Sequence, residues 1–109
     1  MLRGVSDQTL VADGDMSGSI NSSSGVLKFS DRFCIQAVWT GSPVGSIKVQ
    51  ASLNDTNWSD VSDSSQAVSG AGSFLWSFAL QAYSFFRVVY TATSGSGTLN
   101  VTAATKGGR

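Results

Sequence analysis

Short runs of alternating apolar and polar residues, separated by Gly- and Ser-rich turns, limit the fold of this chain more than any other feature. In the clearest run, residues 45–53, the apolar side chains on one face are Ile47, Val49, Ala51 and Leu53. The other face is polar, which is the period-two pattern of a strand with one solvent-exposed side. No stretch shows a convincing helical period. The chain is therefore expected to be all-β.

Further strand candidates, each separated from the next by a turn or loop, follow along the chain. They lie at residues 26–29, 33–40, 74–79, 83–93 and 98–103. A Gly-containing turn at 94–97 separates the last two, which predicts that residues 83–103 form a β-hairpin. About six to eight short strands in one chain favour a single-domain antiparallel β-sandwich of the jelly-roll type.

The first 25 residues differ from the rest. Three of the seven Asp precede residue 16, and residues 17–25 (SGSINSSSG) are nearly all small and polar. We interpret residues 1–25 as an extended N-terminal arm or irregular lead-in, with one short strand candidate around residues 9–12. The β-sandwich is expected at 26–106 and a tail at 107–109. Removing an arm that reaches neighbouring subunits should leave the domain folded.

The ionisable side chains argue against catalysis. The chain has no His and no Glu, and its net charge is zero. It thus lacks the commonest general base and the commonest metal ligand. The single Cys34 is expected to be buried and cannot complete a zinc site or an internal disulfide. We predict no enzymatic activity, no cofactor and no resident metal. Two Asp pairs, Asp13 with Asp15 and Asp60 with Asp63, are interpreted as solvated turns rather than calcium ligands.

Charge and hydropathy limit the partners as well. Without a run of Lys or Arg, the chain has no electrostatic footprint for nucleic acid or for an anionic membrane. Its longest apolar stretches fall far short of the roughly 20 residues that span a bilayer, and its first residues lack a signal-peptide core. We therefore expect a soluble protein made in the cytoplasm.

Aromatic residues point to binding surfaces. The six Phe, three Trp and two Tyr exceed what the core of so small a sandwich obviously needs. The strands at 74–79 and 83–93 are apolar on both faces, so a second layer of this chain or another chain is expected to cover them. Candidate binding or interface residues are Trp58, Asp55, Asn57, Trp76, Phe85 and Arg87. For Arg87 the alternatives are a surface ion pair and an interface anchor.

Several segments resemble small virion proteins of tailed bacteriophages. They are residues 34–43 (CIQAVWTGSP), 45–52 (GSIKVQAS), 54–58 (NDTNW), 86–90 (FRVVY) and 94–101 (SGSGTLNV). The resemblance spans about residues 33–106 and implies a non-enzymatic virion structural protein. Our first hypothesis is a capsid decoration or cement subunit. Its expected partners are the major capsid protein or other virion proteins, together with further copies of itself.

The NDTNW turn also resembles the jelly rolls of galactose-binding-like modules, although Thr56 stands where those usually have Gly. This resemblance leaves carbohydrate binding open. The second hypothesis is a tail, neck, baseplate or fibre component that binds sugar through Trp58 or Trp76 beside Asp55 or Asn57. Buried indole rings and the lack of a concave polar pocket near this turn would count against it.

Overall fold

The computed structural model describes residues 5–26, 30–79 and 85–107, with side chains described at 8–25, 34–77 and 85–104. This part of the chain is all-β, as predicted, and holds no helix. The described residues therefore include no helix that could cross a membrane. The strands are β1 (Val5–Asp15), β2 (Ile20–Asn21), β3 (Gly25–Val26), β4 (Ser30–Gly41), β5 (Val44–Ser52), β6 (Ser59–Asp60), β7 (Gln66–Ser69), β8 (Gly72–Ala79), β9 (Phe85–Ser94) and β10 (Gly97–Gly107).

The strands form two antiparallel sheets that pack face to face. Sheet A has the order β1-β10-β4-β8, and sheet B has the order β2-β9-β5-β6, with β3 also paired with β9 and β7 with β5. The pairs β1/β10, β2/β9, β4/β8 and β5/β7 nest inside one another along the chain. Nested antiparallel pairs split between two sheets are the topology of a jelly roll, which confirms the predicted fold.

The core lies between the sheets, and the predicted alternation accounts for most of it. Sheet A contributes Ile35, Ala37, Trp39, Trp76, Leu99, Val101 and Ala103, and sheet B contributes Ile47, Val49, Val68, Phe86, Val88 and Tyr90. Leu53 departs from the pattern and is 70% exposed. Its strand, β5, ends at Ser52, so the side chain belongs to the following turn rather than to the inner face.

The N-terminal segment is not the predicted arm. From Val5 onward the chain pairs with β10, and β2 and β3 pair with β9. Leu10 and Met16 are buried in the core at 5% and 0% exposure. Bulges between Thr9 and Val11 and between Val11 and Gly14 interrupt the register of β1. Such bulges break the two-residue period, which explains why the sequence predicts only a short strand at residues 9–12 within β1.

The predicted hairpin at residues 83–103 is also wrong. β9 lies in sheet B and β10 in sheet A, so the turn between them carries the chain from one sheet to the other. Gly95 adopts a left-handed φ of 78°, and a Cβ there would collide with the carbonyl oxygen of Ser42. The N–H of Ser42 in turn donates to the carbonyl of Ser96 at 2.8 Å. A Gly-rich turn looks the same in sequence whether it joins neighbouring strands or crosses between sheets.

Candidate functional site

Trp76 belongs to the core rather than to a binding surface. It is 5% exposed, and its indole N–H donates to the carbonyl oxygen of Ser64 at 2.8 Å. Phe74 packs edge-on against it, with ring centroids 5.1 Å apart. The buried hydroxyl of Ser64 also bonds both backbone groups of Val49 in β5. Trp76 thus fixes the loop before β7 and cannot serve as a sugar platform.

The turn after β5 is organised by two side chains, Ser52 and Asn54. The hydroxyl of Ser52 accepts from the N–H groups of Asn54 and Asp55 at 3.1 and 2.9 Å. The Oδ1 of Asn54 accepts from the N–H groups of Thr56 and Asn57 at 3.0 and 2.9 Å. Asp55 takes the left-handed conformation, with φ of 59°. Asp tolerates this conformation, so the turn forms without the Gly that the galactose-binding-like pattern has at Thr56.

Asp55 and Asn57 are both exposed but lie in different surroundings. The Asp55 carboxylate accepts from the hydroxyl of Ser24 at 2.6 Å, which ties the turn to the segment before β3. Asn57 lines an open depression of about 490 Å³. Other residues lining it include Leu53, Asn54, Ser59 and Asp60. A concave surface with both apolar and polar lining therefore lies beside the turn, although neither Trp58 nor Asp55 is among the residues that line it.

Trp58 is half-buried and stacks with Arg87 on the outer face of sheet B. The guanidinium carbon of Arg87 lies 4.5 Å from the centroid of the Trp58 ring, a cation–π contact. The Nε of Arg87 donates to the Oε1 of Gln50 at 2.9 Å. Among the described residues, Arg87 thus has an aromatic ring and an amide as partners rather than a carboxylate. One ring face of Trp58 is covered by this contact.

Asp60 extends the same surface through two partners on β5. Lys48 Nζ lies 3.0 Å from its Oδ2, and Gln50 Nε2 donates to its Oδ1 at 2.9 Å. The hydrogen bond from Gln50, followed by that from Lys48, lowers the pKa of Asp60 below its ordinary value. We call Lys48, Gln50, Trp58, Asp60 and Arg87 the sheet B network. These contacts pair its members with one another, so a ligand that bound their polar groups would compete with them.

Phe85 lies beside the network. In the β5–β9 register it stands opposite Ser52, while Arg87 stands opposite Gln50. Phe85 and Arg87 therefore share the outer face of sheet B at the end that carries the turn, as their spacing predicts. Phe85 is half-buried. Of the six predicted site residues, four lie around this end of sheet B: Asn57, Trp58, Phe85 and Arg87. Asp55 is hydrogen-bonded to Ser24, and Trp76 lies in the core.

The outer face of sheet A is a second surface, of which the sequence predicts only the apolar side chains at residues 74–79. Its outward side chains on β4, β8 and β10 include Gln36, Val38, Thr40, Ser73, Leu75, Asn100 and Thr102. Leu75 is 58% exposed and Val38 is 41% exposed. No side chain is charged at residues 34–40, 73–77 and 98–104. This absence of charge is the sequence feature that could identify the surface. Cys34, expected in the core, lies half-buried on this face with its Sγ 3.7 Å from the Ser77 hydroxyl.

Comparison with known proteins identifies the fold. No protein-family profile matches the sequence, and no curated protein matches it. Among solved structures, the SPBc2 prophage-derived protein YomS is similar with a TM-score of 0.68 at 12% identity, covering 95% of this chain and 96% of that one. PirA gives a TM-score of 0.56 at 15% identity over 93% and 92% of the two chains.

A structure of infectious bursal disease virus, Gx strain, is also similar. Its TM-score is 0.59 at 11% identity, covering 96% of this chain but only 32% of the viral chain. Identities this low carry information about the fold alone. The chain therefore has a jelly-roll fold that a prophage-derived protein shares from end to end and that a larger viral chain contains as a part.

Proposed function

We propose that this chain is a non-enzymatic structural protein of a bacteriophage virion, and specifically a decoration or cement subunit on the capsid. It is made in the host cytoplasm and acts in the particle, in contact with the major capsid protein or other virion proteins. The fold likeness to a prophage-derived protein, over nearly the full length of both chains, supports the phage context. The observation that carries the proposal is the part of the outer face of sheet A that lies on residues 34–40, 73–77 and 98–104, where no side chain is charged.

The chemistry of that face suits a permanent contact between subunits. Burying a charged side chain costs several kcal/mol unless it is paired, whereas Ser, Thr and Gln side chains can exchange water for hydrogen bonds across a contact. Leu75 and Val38 add apolar area that is exposed to solvent in the single chain. A subunit bound only to the assembled shell stabilises that shell by mass action, without any chemical step.

The test is a thermal-stability assay on particles that lack this chain. Adding back the purified chain is expected to raise the temperature at which such particles open. The variant Val38→Asp, which places a charge on the outer face of sheet A, should lose this effect. Val44→Asp is the matched control, because Val44 is 39% exposed but lies in sheet B. Equal protection by the two variants, or none by the unmodified chain, would contradict the proposal.

A second candidate function is carbohydrate binding in a tail, neck, baseplate or fibre. The open depression lined by Asn54 and Asn57 favours it, because their side-chain amides can bond sugar hydroxyls. The burial of Trp76 and the stacking of Arg87 on Trp58 leave it with one partly covered aromatic platform. A glycan array tests it directly. Submillimolar binding that is lost in Asn57→Ala and Trp58→Ala would support sugar recognition at this depression, and an array without any binding would exclude it.

A further inference from the structure

The edges of the two sheets differ in how they are protected from pairing with another strand. An exposed edge offers unpaired N–H and C=O groups, and proteins usually protect it with charges, Pro, bulges or short strands. β1, at one edge of sheet A, carries two bulges and ends in Asp13 and Asp15. In sheet B, the outer strands β2, β3 and β6 have two residues each and β7 has four. Each of these edges is therefore bulged, charged or short.

β8, at the other edge of sheet A, has none of these protections. It is eight residues long, and its sequence GSFLWSFA contains no charged residue and no Pro. Its register with β4 runs from Arg32 opposite Ala79 to Trp39 opposite Gly72 without a shift, so it holds no bulge. Among the described strands it pairs only with β4. Its second side is thus a regular, uncharged edge long enough to bind a further strand.

We propose that β8 pairs antiparallel with β8 of a second copy of this chain, about a two-fold axis at Leu75. The two four-stranded A sheets then form one continuous sheet. This inference stands apart from the proposed virion function, since a dimer of this kind could form in any setting.

The sequence of β8 explains why the occupant is a second copy. About a two-fold axis, the central residue lies opposite its own copy, and residues equally far before and after it lie opposite each other. A charge at the centre would therefore face a like charge and be repelled by it. With Leu75 at the axis, the outward side chains pair as Leu75 with Leu75 and Ser73 with Ser77. Leu75 is 58% exposed in the single chain, and its mate would cover it. The neighbouring inward pair, Phe74 with Trp76, extends the core across the junction.

The first test measures the oligomeric state of the full chain by sedimentation velocity over a concentration series. The unmodified chain is expected to dimerise, and Leu75→Lys should weaken the dimer more than about tenfold through lost Leu burial and Lys–Lys repulsion. Leu53→Lys is the matched control, because Leu53 is 70% exposed and lies in the turn after β5. A chain that is monomeric throughout, or a Leu75→Lys variant that dimerises as well as Leu53→Lys, would overturn the proposal.

The second test addresses the register with two double variants that replace the same two residues, Ser73 and Ser77. Ser73→Asp with Ser77→Lys places opposite charges across the junction and should preserve the dimer, with an affinity that falls as salt is added. Ser73→Lys with Ser77→Lys places like charges there and should give monomers. Equal dimerisation of both double variants would rule out the proposed pairing.

Hydrogen exchange on the unmodified chain provides a readout that does not depend on a variant folding. Edge amides of residues 72–79 should exchange slowly in concentrated solution and faster on dilution, as the dimer separates. Amides of β1, at the opposite edge of sheet A, should not respond. Exchange in β8 that is independent of concentration, in the range where dimers are expected, would contradict the proposal.

Discussion

At the scale of single residues, two buried indole groups hold the segment on either side of β7. Trp39 donates from Nε1 to the carbonyl of Gly70 at 2.8 Å, and Trp76 does the same to Ser64. Both rings come from sheet A, while β7 pairs with β5 in sheet B. These two hydrogen bonds therefore connect the sheets through polar groups in addition to the apolar core between them.

Replacing Trp76 by Phe is expected to lower the free energy of unfolding by about 1–3 kcal/mol, because the buried Ser64 carbonyl loses its donor. Trp58→Phe is the matched control. It removes an indole that stacks on Arg87 at the surface, and it should cost no more than about 1 kcal/mol. Urea denaturation of both variants measures the difference. Similar losses in the two would show that the Trp76 hydrogen bond contributes little.

Asp60 should make stability depend on pH in the acid range. Its pKa is lowered in the folded chain by Gln50 and Lys48, so its contribution is fully present above the unfolded pKa of about 3.9. That contribution is lost as pH falls through the lower folded pKa. Denaturation at several pH values below about 4 should show a shallower pH dependence for Asp60→Asn than for the unmodified chain. Parallel curves would contradict this. The effect will be small, because the pair is exposed.

Part of the candidate site could be predicted at this scale. The turn chemistry of Asn54 and the shared face of Phe85 and Arg87 follow from side-chain type and from the two-residue period. The different positions of Trp58 and Trp76 do not follow from the two-residue period, because the strand that contains Trp76 is apolar on both faces. Only the packing of sheet A on sheet B decides which ring is covered.

At the scale of secondary structure elements, the contact between β5 and β9 depends on a residue without a side chain. A Cβ at Gly45 would collide with the carbonyl oxygen of Thr91 in β9. Gly45→Ala is therefore expected to lower the free energy of unfolding by about 1–3 kcal/mol, since two paired strands must move apart. Gly18→Ala is the control, because nothing lies within 4 Å of the added atom. Equal stability of the two variants would show that the strands adjust freely.

β1 is predicted to be essential for folding rather than an attachment device. Met16, at its end, is fully buried, so Met16→Ala should cost about 2–5 kcal/mol. Leu53→Ala, at a site that is 70% exposed, is the control and should change little. Chemical denaturation measures both. A loss below about 0.5 kcal/mol for Met16→Ala would return residues 1–25 to the role of a dispensable arm.

The strands themselves were largely predictable, and their partners were not. Alternation along β5, β9 and β10 identifies which side chains face inward, because a sheet with one buried face imposes that period. It does not identify which sheet a strand joins, since an inward face looks the same in sheet A and sheet B. The wrong hairpin at β9 and β10 has this origin, whereas the incomplete prediction of β1 comes from its bulges.

At the scale of the whole molecule, the two outer faces of the sandwich have different chemistry. Sheet B carries paired charges in its network, whereas residues 34–40, 73–77 and 98–104 of sheet A carry no charge, and this surface ends at the unprotected edge of β8. Composition alone indicated a chain with few charges. The fold shows which part of the surface lacks charges. Both proposed contacts use that part, which lies on sheet A.

The proposed role places this chain as a structural subunit on the outside of a phage capsid. A cryo-electron microscopy reconstruction of purified particles of a phage whose genome contains this sequence measures that position. Many copies of the jelly roll are expected on the shell, with the outer face of sheet A buried against neighbouring subunits. Particles that lack the chain, or that hold it only at the tail or baseplate, would contradict the proposed role.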